Sequence, residues 1–97
     1  MNLGAAIKEL RRKKAINQTE LSLCCDISQT YLSQIENNLK EPTLQTLNTI
    51  ASELGIPLPF LFFLALDEQD IKPEKIEAYN YVAPSLKLMI LSLFSND

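Results

Sequence analysis

Apolar residues recur every three or four positions over much of the chain, which is the period of amphipathic helices. The first such pattern comprises Leu3, Ile7 and Leu10, and it predicts a helix over residues 3–14. Asn2 directly precedes this pattern and is a residue type that caps helix N-termini. We therefore expect the sequence to open with a helix that has one apolar face.

A second helix is predicted from its end signals as much as from its periodicity. Asn17 and Glu20 lie three residues apart in the pattern of a capping box, so the helix begins near Gln18. Asp26 tolerates the left-handed backbone conformation that often ends a helix. The second helix is therefore short, and a turn follows it.

The third predicted helix has an unusual polar surface. Ser28 caps it, and Leu32 and Ile35 are the two residues that face inward. Its other positions carry amides and hydroxyls where a solvated helix usually carries charges, namely Gln29, Thr30, Tyr31, Ser33 and Gln34. Water does not require such a pattern, so this surface raises the question of what it recognises.

Two further helices complete the first two thirds of the chain. Thr43 caps the fourth helix and Gly55 ends it. The segment IPLPFLFFLAL predicts a short fifth helix that is apolar on nearly all sides. The inward positions of the fourth helix follow the helical period closely, and they are Leu44, Leu47, Ile50, Ala51 and Leu54.

The C-terminal third is harder to assign. Residues 67–72 predict a polar hinge, and residues 73–83 predict a sixth helix with a proline in its first turn. Pro84 is expected to interrupt this helix. Residues 85–94 fit a helix and a strand almost equally well, so both alternatives stay open. The inward residues expected in the sixth helix are Ile76, Tyr79 and Val82.

The charge distribution matters more than the net charge of −3. Residues 1–42 contain six basic and five acidic residues, whereas residues 43–97 contain three basic and seven acidic residues. Residues 8–14 alone hold five bases against one acid. This cluster suits phosphate binding, which depends on a local patch, but it equally suits a solvated helix C-terminus.

Several classes of site are not expected. The 97-residue chain has no histidine, no glycine-rich phosphate loop and only two cysteines, Cys24 and Cys25, which are too few for a zinc site. We therefore expect no metal, no cofactor and no enzymatic activity. The longest apolar run is too short to span a bilayer, and adjacent thiols suit a reduced, cytoplasmic protein without a membrane segment.

Three stretches together carry a family resemblance. They are IKELRRKKAINQTELS, DISQTYLSQIENN and EPTLQTLNTIASELGI, and they occur in this order at the family's spacing. From about Leu3 to Phe62 the chain resembles the Cro/C1-type (XRE) helix-turn-helix family of transcription regulators. The resemblance implies an all-α, five-helix, lambda-repressor-like bundle. It implies a DNA-binding domain at residues 1–66 and a short helical C-terminal extension at residues 67–97.

The resemblance also implies roles for individual residues. Helix three would enter the major groove of double-stranded DNA, with base contacts from Gln29, Thr30, Ser33 and Gln34. Contacts to phosphates would come from Gln18, Tyr31, Asn37, Asn38 and Lys40, with Arg12, Lys13 and Lys14 as weaker candidates. For Tyr31 a thymine methyl group is the alternative to a phosphate. Arg11 and Glu36 would form a structural clamp between helices one and three. Helix three contains no arginine and no lysine, and its glutamines suit adenine. We therefore expect the contacted positions to be rich in A·T.

The apolar C-terminal part suggests a partner. One recognition helix reads few base pairs, and family members commonly bind inverted repeats as two-fold dimers. We therefore expect a dimeric repressor, with two alternatives: the apolar segments cover each other within one chain, or they bind another protein, as in an antitoxin. The predicted surface comprises Phe60, Phe62, Phe63, Leu86, Met89, Ile90, Leu93 and Phe94.

Overall fold

The computed structural model describes residues 1–94, and every regular element in that part of the chain is helical. The prediction of an all-α fold is confirmed. Two short 3₁₀ turns, Glu68–Asp70 and Pro73–Lys75, join the last two helices. The six helices are α1 (Leu3–Lys13), α2 (Gln18–Cys24), α3 (Gln29–Glu36), α4 (Leu44–Glu53), α5 (Leu58–Ala65) and α6 (Ile76–Phe94).

The first four helices begin at polar caps, as predicted. The side chains of Asn2, Ser28 and Thr43 each accept a hydrogen bond from a backbone N–H in the first turn of the helix that follows. Asn17 and Glu20 form the complete capping box at the start of α2. These caps satisfy backbone donors that have no partner within a helix, so local sequence fixes where the helices start.

The same four helices also end in one way. Each is followed by a residue with positive φ, at Ala15, Asp26, Asn38 and Gly55. In each case the next backbone N–H bonds back to the carbonyl five residues earlier, which is the Schellman arrangement. Only one of the four positions carries glycine, so three non-glycine residues adopt the left-handed conformation.

The core lies where α1 to α5 converge. Its fully buried side chains come from all five helices. The expectation that Leu44 faces inward is wrong: it is 68% exposed, because it is the first residue of α4 and lies outside the packed turns. Gly4 allows α1 to approach the end of α3 closely, because a Cβ atom there would lie 2.5 Å from the carbonyl oxygen of Glu36. The largest fully buried residues are Ile7, Leu10, Leu21, Leu32, Ile35, Ile50, Leu54 and Leu61.

The predicted break at Pro84 is wrong, because α6 runs through this residue to Phe94. Proline removes one backbone donor and its ring crowds the carbonyl four residues earlier, so packing on both sides must offset this cost. Ala83 and Leu91 are buried on either side of it. The C-terminal segment is therefore a helix and not a strand. Val82, expected to face inward, is 47% exposed, because Ala83 takes the inward position.

Polar and aromatic contacts fasten α6 to the end of α5. The carbonyl oxygen of Leu66 accepts hydrogen bonds from the Tyr79 hydroxyl, at 2.9 Å, and from the Lys87 ammonium group. A cation near the C-terminus of a helix is favourable, because the last carbonyl groups carry negative partial charge. The rings of Phe60 and Phe94 lie 5.4 Å apart. The extension thus packs against the bundle. The domain boundary between residues 66 and 67 stays a prediction. Residues 95–97 lie outside the described part of the chain.

Candidate nucleic-acid interface

The outer side of α3 is a polar surface, and α2 packs beside it. Leu32 and Ile35 are buried on its inner side, as predicted. The four predicted base-contacting residues are spaced i, i+1, i+4 and i+5, which keeps them on one side of a helix. Gln29 and Thr30 are exposed, while Ser33 and Gln34 are half-buried. The structure therefore brings these four side chains together on one accessible face.

Arg11 and Glu36 form a buried, two-point ion pair between α1 and α3. Arg11 Nε lies 2.7 Å from Glu36 Oε2, and Arg11 Nη2 lies 3.0 Å from Glu36 Oε1. The side chains are only 9% and 1% exposed. Arg11 Nη1 also donates to the carbonyl oxygen of Ile16. Because the pair is buried and fully hydrogen-bonded, it holds α3 against α1 more rigidly than a surface pair would.

Hydrogen bonds connect this ion pair to the first residue of α3. Gln18 Nε2 donates to Glu36 Oε1 at 3.0 Å, and Gln29 Nε2 donates to Gln18 Oε1 at 2.7 Å. A carboxylate only accepts hydrogen bonds, so it turns the NH₂ group of Gln18 inward and its oxygen towards Gln29. Gln29 is oriented in turn. Its own oxygen and its second N–H are left for an external partner.

The residues predicted to contact phosphates lie in different environments. Lys40 is exposed, and Tyr31 is half-buried against the core. The Asn37 amide donates to the carbonyl oxygen of Ser33. Gln18 uses one N–H on Glu36, which leaves the other for an anion.

Asn38 has a structural role that the sequence did not reveal. Its Oδ1 accepts from the backbone N–H of Gly4 at 3.2 Å, and its Nδ2 donates to Asn2 Oδ1 at 2.8 Å. These bonds tie the end of α3 to the start of α1. A phosphate contact by the Asn38 side chain would have to replace one of them. Gly4 signals a close approach of backbone at this point of α1, but it does not identify Asn38 as the partner.

The two cysteines differ in environment. The thiol of Cys24 is exposed and that of Cys25 is buried, and neither forms a disulfide. Burial, assisted by the nearby Glu53 carboxylate, raises the pKa of Cys25 to about 11. Among residues 1–94 no group of three or more His, Cys, Asp or Glu side chains is arranged to hold a metal ion.

No single helix in residues 1–94 is long and apolar enough to cross a membrane. Helices α4 and α5 reach the required length and composition only as a pair bent by 100°.

The apolar residues predicted to meet a partner divide into two groups. Phe62, Phe63, Ile90 and Phe94 are half-buried within the chain. The remaining four, Phe60, Leu86, Met89 and Leu93, are exposed to between 39% and 72%. Tyr81, Val82 and Leu88 are also exposed on α6, and the sequence pattern did not single them out as surface residues.

Comparisons with known proteins identify helix-turn-helix relatives of this chain. A helix-turn-helix family model matches residues 7–61. The "ImmF control region 10 kDa protein" of Bacillus phage phi105 is 42% identical over 59 residues, which are 61% of this chain and 66% of that protein. The immunity repressor protein of the same phage is 34% identical over 80 residues, covering 82% of this chain and 53% of the repressor.

A third relative extends the similarity along almost the whole chain. The HTH-type transcriptional regulator SutR of Escherichia coli is 30% identical over 95 residues, which are 98% of this chain and 49% of SutR. The matches thus span between 49% and 66% of these three relatives' own lengths.

Proposed function

Because the chain belongs to the Cro/C1-type (XRE) helix-turn-helix family of DNA-binding transcription regulators, we propose that it is a dimeric repressor that reads an inverted-repeat operator. Helix α3 enters the major groove, where base edges present the paired donors and acceptors that amides and hydroxyls match. Repression then follows from occupancy of the operator. The similarity to the immunity repressor of phage phi105 supports repression rather than activation.

The observation that carries the base-reading proposal is the chain of hydrogen bonds from Arg11 to Gln29. It orients the free oxygen and free N–H of Gln29 before DNA arrives. This acceptor and donor pair matches N6 and N7 of adenine, whereas guanine presents two acceptors. We therefore propose that Gln29 reads adenine, with Thr30, Ser33 and Gln34 contacting neighbouring base edges.

Contacts to the DNA backbone complete the proposed interface. Gln18 donates its second N–H to a phosphate from the N-terminus of α2, where the helix dipole also favours an anion. Asn37 and Lys40 follow α3 and contact phosphates near its C-terminal end. The Tyr31 hydroxyl contacts a further phosphate. These contacts set the position of α3 but do not discriminate between sequences.

The dimer part of the proposal rests on the two-fold symmetry of inverted repeats and on the exposed apolar residues of α6. A single α3 covers one half-site, so two copies cover two half-sites about one helical turn apart. The competing function is an interaction module in which α6 binds a different protein, as an antitoxin binds its toxin.

One experiment tests both parts of the proposal. The purified protein is incubated with a random duplex pool at physiological salt, and the retained DNA is sequenced. We expect an inverted repeat whose half-site centres lie about one helical turn apart, with adenine at a fixed position in each half. A single half-site would remove the dimer and keep the base-reading role. No enrichment by a protein that circular dichroism shows to be folded would contradict DNA reading and favour the interaction module.

A further inference from the structure

Four exposed apolar residues form a continuous line along α6. Val82, Leu86, Met89 and Leu93 are spaced by four, three and four residues and are between 39% and 72% exposed. We propose that this α6 stripe is the surface on which a second copy of the chain docks, helix against helix. The inference rests on the dimer proposed above and identifies which residues build it.

The spacing of the stripe favours a helical partner. Steps of four, three and four residues keep apolar side chains on one side of a helix, where they can pack against a neighbouring helix. Helix α6 contains 19 residues. At 1.5 Å per residue it is roughly 28 Å long, enough for several layers of contact. An open apolar depression beside Phe63, Val82 and Leu86 provides space for side chains of the partner helix.

The charge distribution favours a second copy over a different protein. Between residues 78 and 94 the only charged side chain is Lys87, and it is turned inward onto the Leu66 carbonyl oxygen. Across a two-fold axis a surface meets itself, so any charge near the axis would face its own like charge. Residues 78–94 present no outward charge and so avoid this repulsion, while one exposed base, Lys75, lines the depression beside Val82 and Leu86. Interfaces with other proteins generally use complementary charges for selectivity, and the α6 stripe offers none.

The α6 stripe is distinct from the apolar residues that pack α6 against the bundle of its own chain. Phe94 packs against Phe60, and Ile90 and Leu91 lie against the core. Those residues attach α6 to the bundle of the same chain. The dimer surface is therefore narrower than the full apolar segment, and it lies on one flank of α6.

Adjacent residues on α6 provide a matched test. Met89 belongs to the α6 stripe and is 60% exposed, whereas Leu88 is 67% exposed and lies about 100° away around the helix. Sedimentation equilibrium without DNA is measured from submicromolar to about 100 micromolar protein for the wild type, Met89→Glu and Leu88→Glu. We expect a wild-type dimer, an at least tenfold weaker dimer for Met89→Glu, and an unchanged dimer for Leu88→Glu.

Other outcomes overturn the inference. A wild-type monomer at 100 micromolar would remove the second copy as the occupant, and equal weakening by both substitutions would place the contact elsewhere. Val82→Glu, with helicity checked by circular dichroism, repeats the test should Met89→Glu unfold. Binding of each variant to a single half-site duplex separates the dimer proposal from the DNA-reading proposal. A variant that loses the dimer but still binds the half-site retains DNA reading. If the protein forms this dimer but shows no sequence-specific DNA binding, the α6 stripe remains the dimer surface and the DNA-reading proposal fails.

Discussion

Ala15 adopts a backbone conformation that is costly for any residue with a side chain. Its φ of 57° lies in the left-handed region, where a Cβ atom costs roughly 1–2 kcal/mol. Glycine avoids this cost but loses more conformational entropy on folding. We therefore expect Ala15→Gly to raise the free energy of unfolding by about 0.5–1 kcal/mol in urea titrations.

Ala5 provides the control for this substitution. It is exposed within α1, where Ala→Gly lowers stability by roughly 0.5–1 kcal/mol because helical backbone suits alanine better. The two substitutions are chemically identical and should change stability in opposite directions. A loss of stability from both would mean that the conformation at Ala15 is not what limits this turn.

At the DNA interface, single residues should separate base reading from phosphate binding. Gln29→Ala should cost about 1–3 kcal/mol on the selected operator and relax the preference for adenine at one position. Lys40→Ala should weaken binding to all sequences similarly and lower the salt slope by about one. Both effects are measured by fluorescence anisotropy on operator and random duplexes over a range of salt. Equal losses on both duplexes for Gln29→Ala would remove its assignment as a base reader.

The packing of α1 against α3 depends on a buried charge pair. Glu36→Ala would leave the Arg11 guanidinium buried without its counterion and Gln18 without its acceptor. We expect a loss of about 3–5 kcal/mol in the free energy of unfolding, measured by urea denaturation. The double variant Arg11→Met/Glu36→Leu should recover most of it, because apolar residues of similar volume often replace a buried pair at little cost.

The double variant also tests how the pair acts on DNA reading. Its stability should recover, but Gln18 and Gln29 would no longer be oriented by a carboxylate. We therefore expect a stable protein with a weakened preference for adenine. If Glu36→Ala alone cost less than 1 kcal/mol, the pair would be solvated, as in an exposed ion pair.

Local signals predicted the elements well because helix ends are decided locally. The caps at Asn17, Ser28 and Thr43 and the turn at Asp26 each depend on residues within one or two turns. Pro84 is different: its local preference is to end a helix, but burial on both sides of it outweighs one missing hydrogen bond. Such packing is non-local and is not visible in the sequence around the proline.

In the candidate site, too, features set by local sequence could be predicted and features set by non-local packing could not. Which residues of α3 point outward follows from the helical period, so the four base-contacting candidates could be placed on one face from sequence. The burial of the Arg11–Glu36 pair and the use of Asn38 to hold Gly4 could not be predicted, since both depend on how α1 crosses α3. The hydrogen bonds that orient Gln29 depend on the same crossing.

Across the whole molecule, the basic cluster is smaller than its composition suggests. Five bases lie within residues 8–14, but the charge of Arg11 is neutralised by Glu36 inside the protein. Arg12 and Lys13 remain exposed in the last turn of α1, where the helix dipole also favours them. In the proposed complex, discrimination between DNA sequences comes from the hydrogen bonds of α3, because contacts between basic residues and phosphates carry no sequence information.

Cys25 reports on the stability of the whole molecule, because its thiol lies in the core and its neighbour Cys24 lies outside. Only thiolates react with alkylating reagents at an appreciable rate. At pH 8 we expect iodoacetamide to modify Cys24 rapidly, whereas Cys25 should react only when the protein unfolds. Mass spectrometry of Cys24→Ser and Cys25→Ala measures each rate separately, and similar rates for both thiols would contradict a buried Cys25.

The raised pKa of Cys25 also predicts a pH dependence of stability. The folded protein holds this thiol neutral until the pH approaches about 11, whereas in the unfolded chain the thiol ionises near its ordinary value of 9.0. The contribution of the neutral thiol is therefore complete below pH 9 and is lost as the pH rises from 9 towards 11. Urea midpoints of the wild type should fall over this interval by more than those of Cys25→Ala. Parallel pH profiles for the two proteins would mean that Cys25 does not account for the loss of stability.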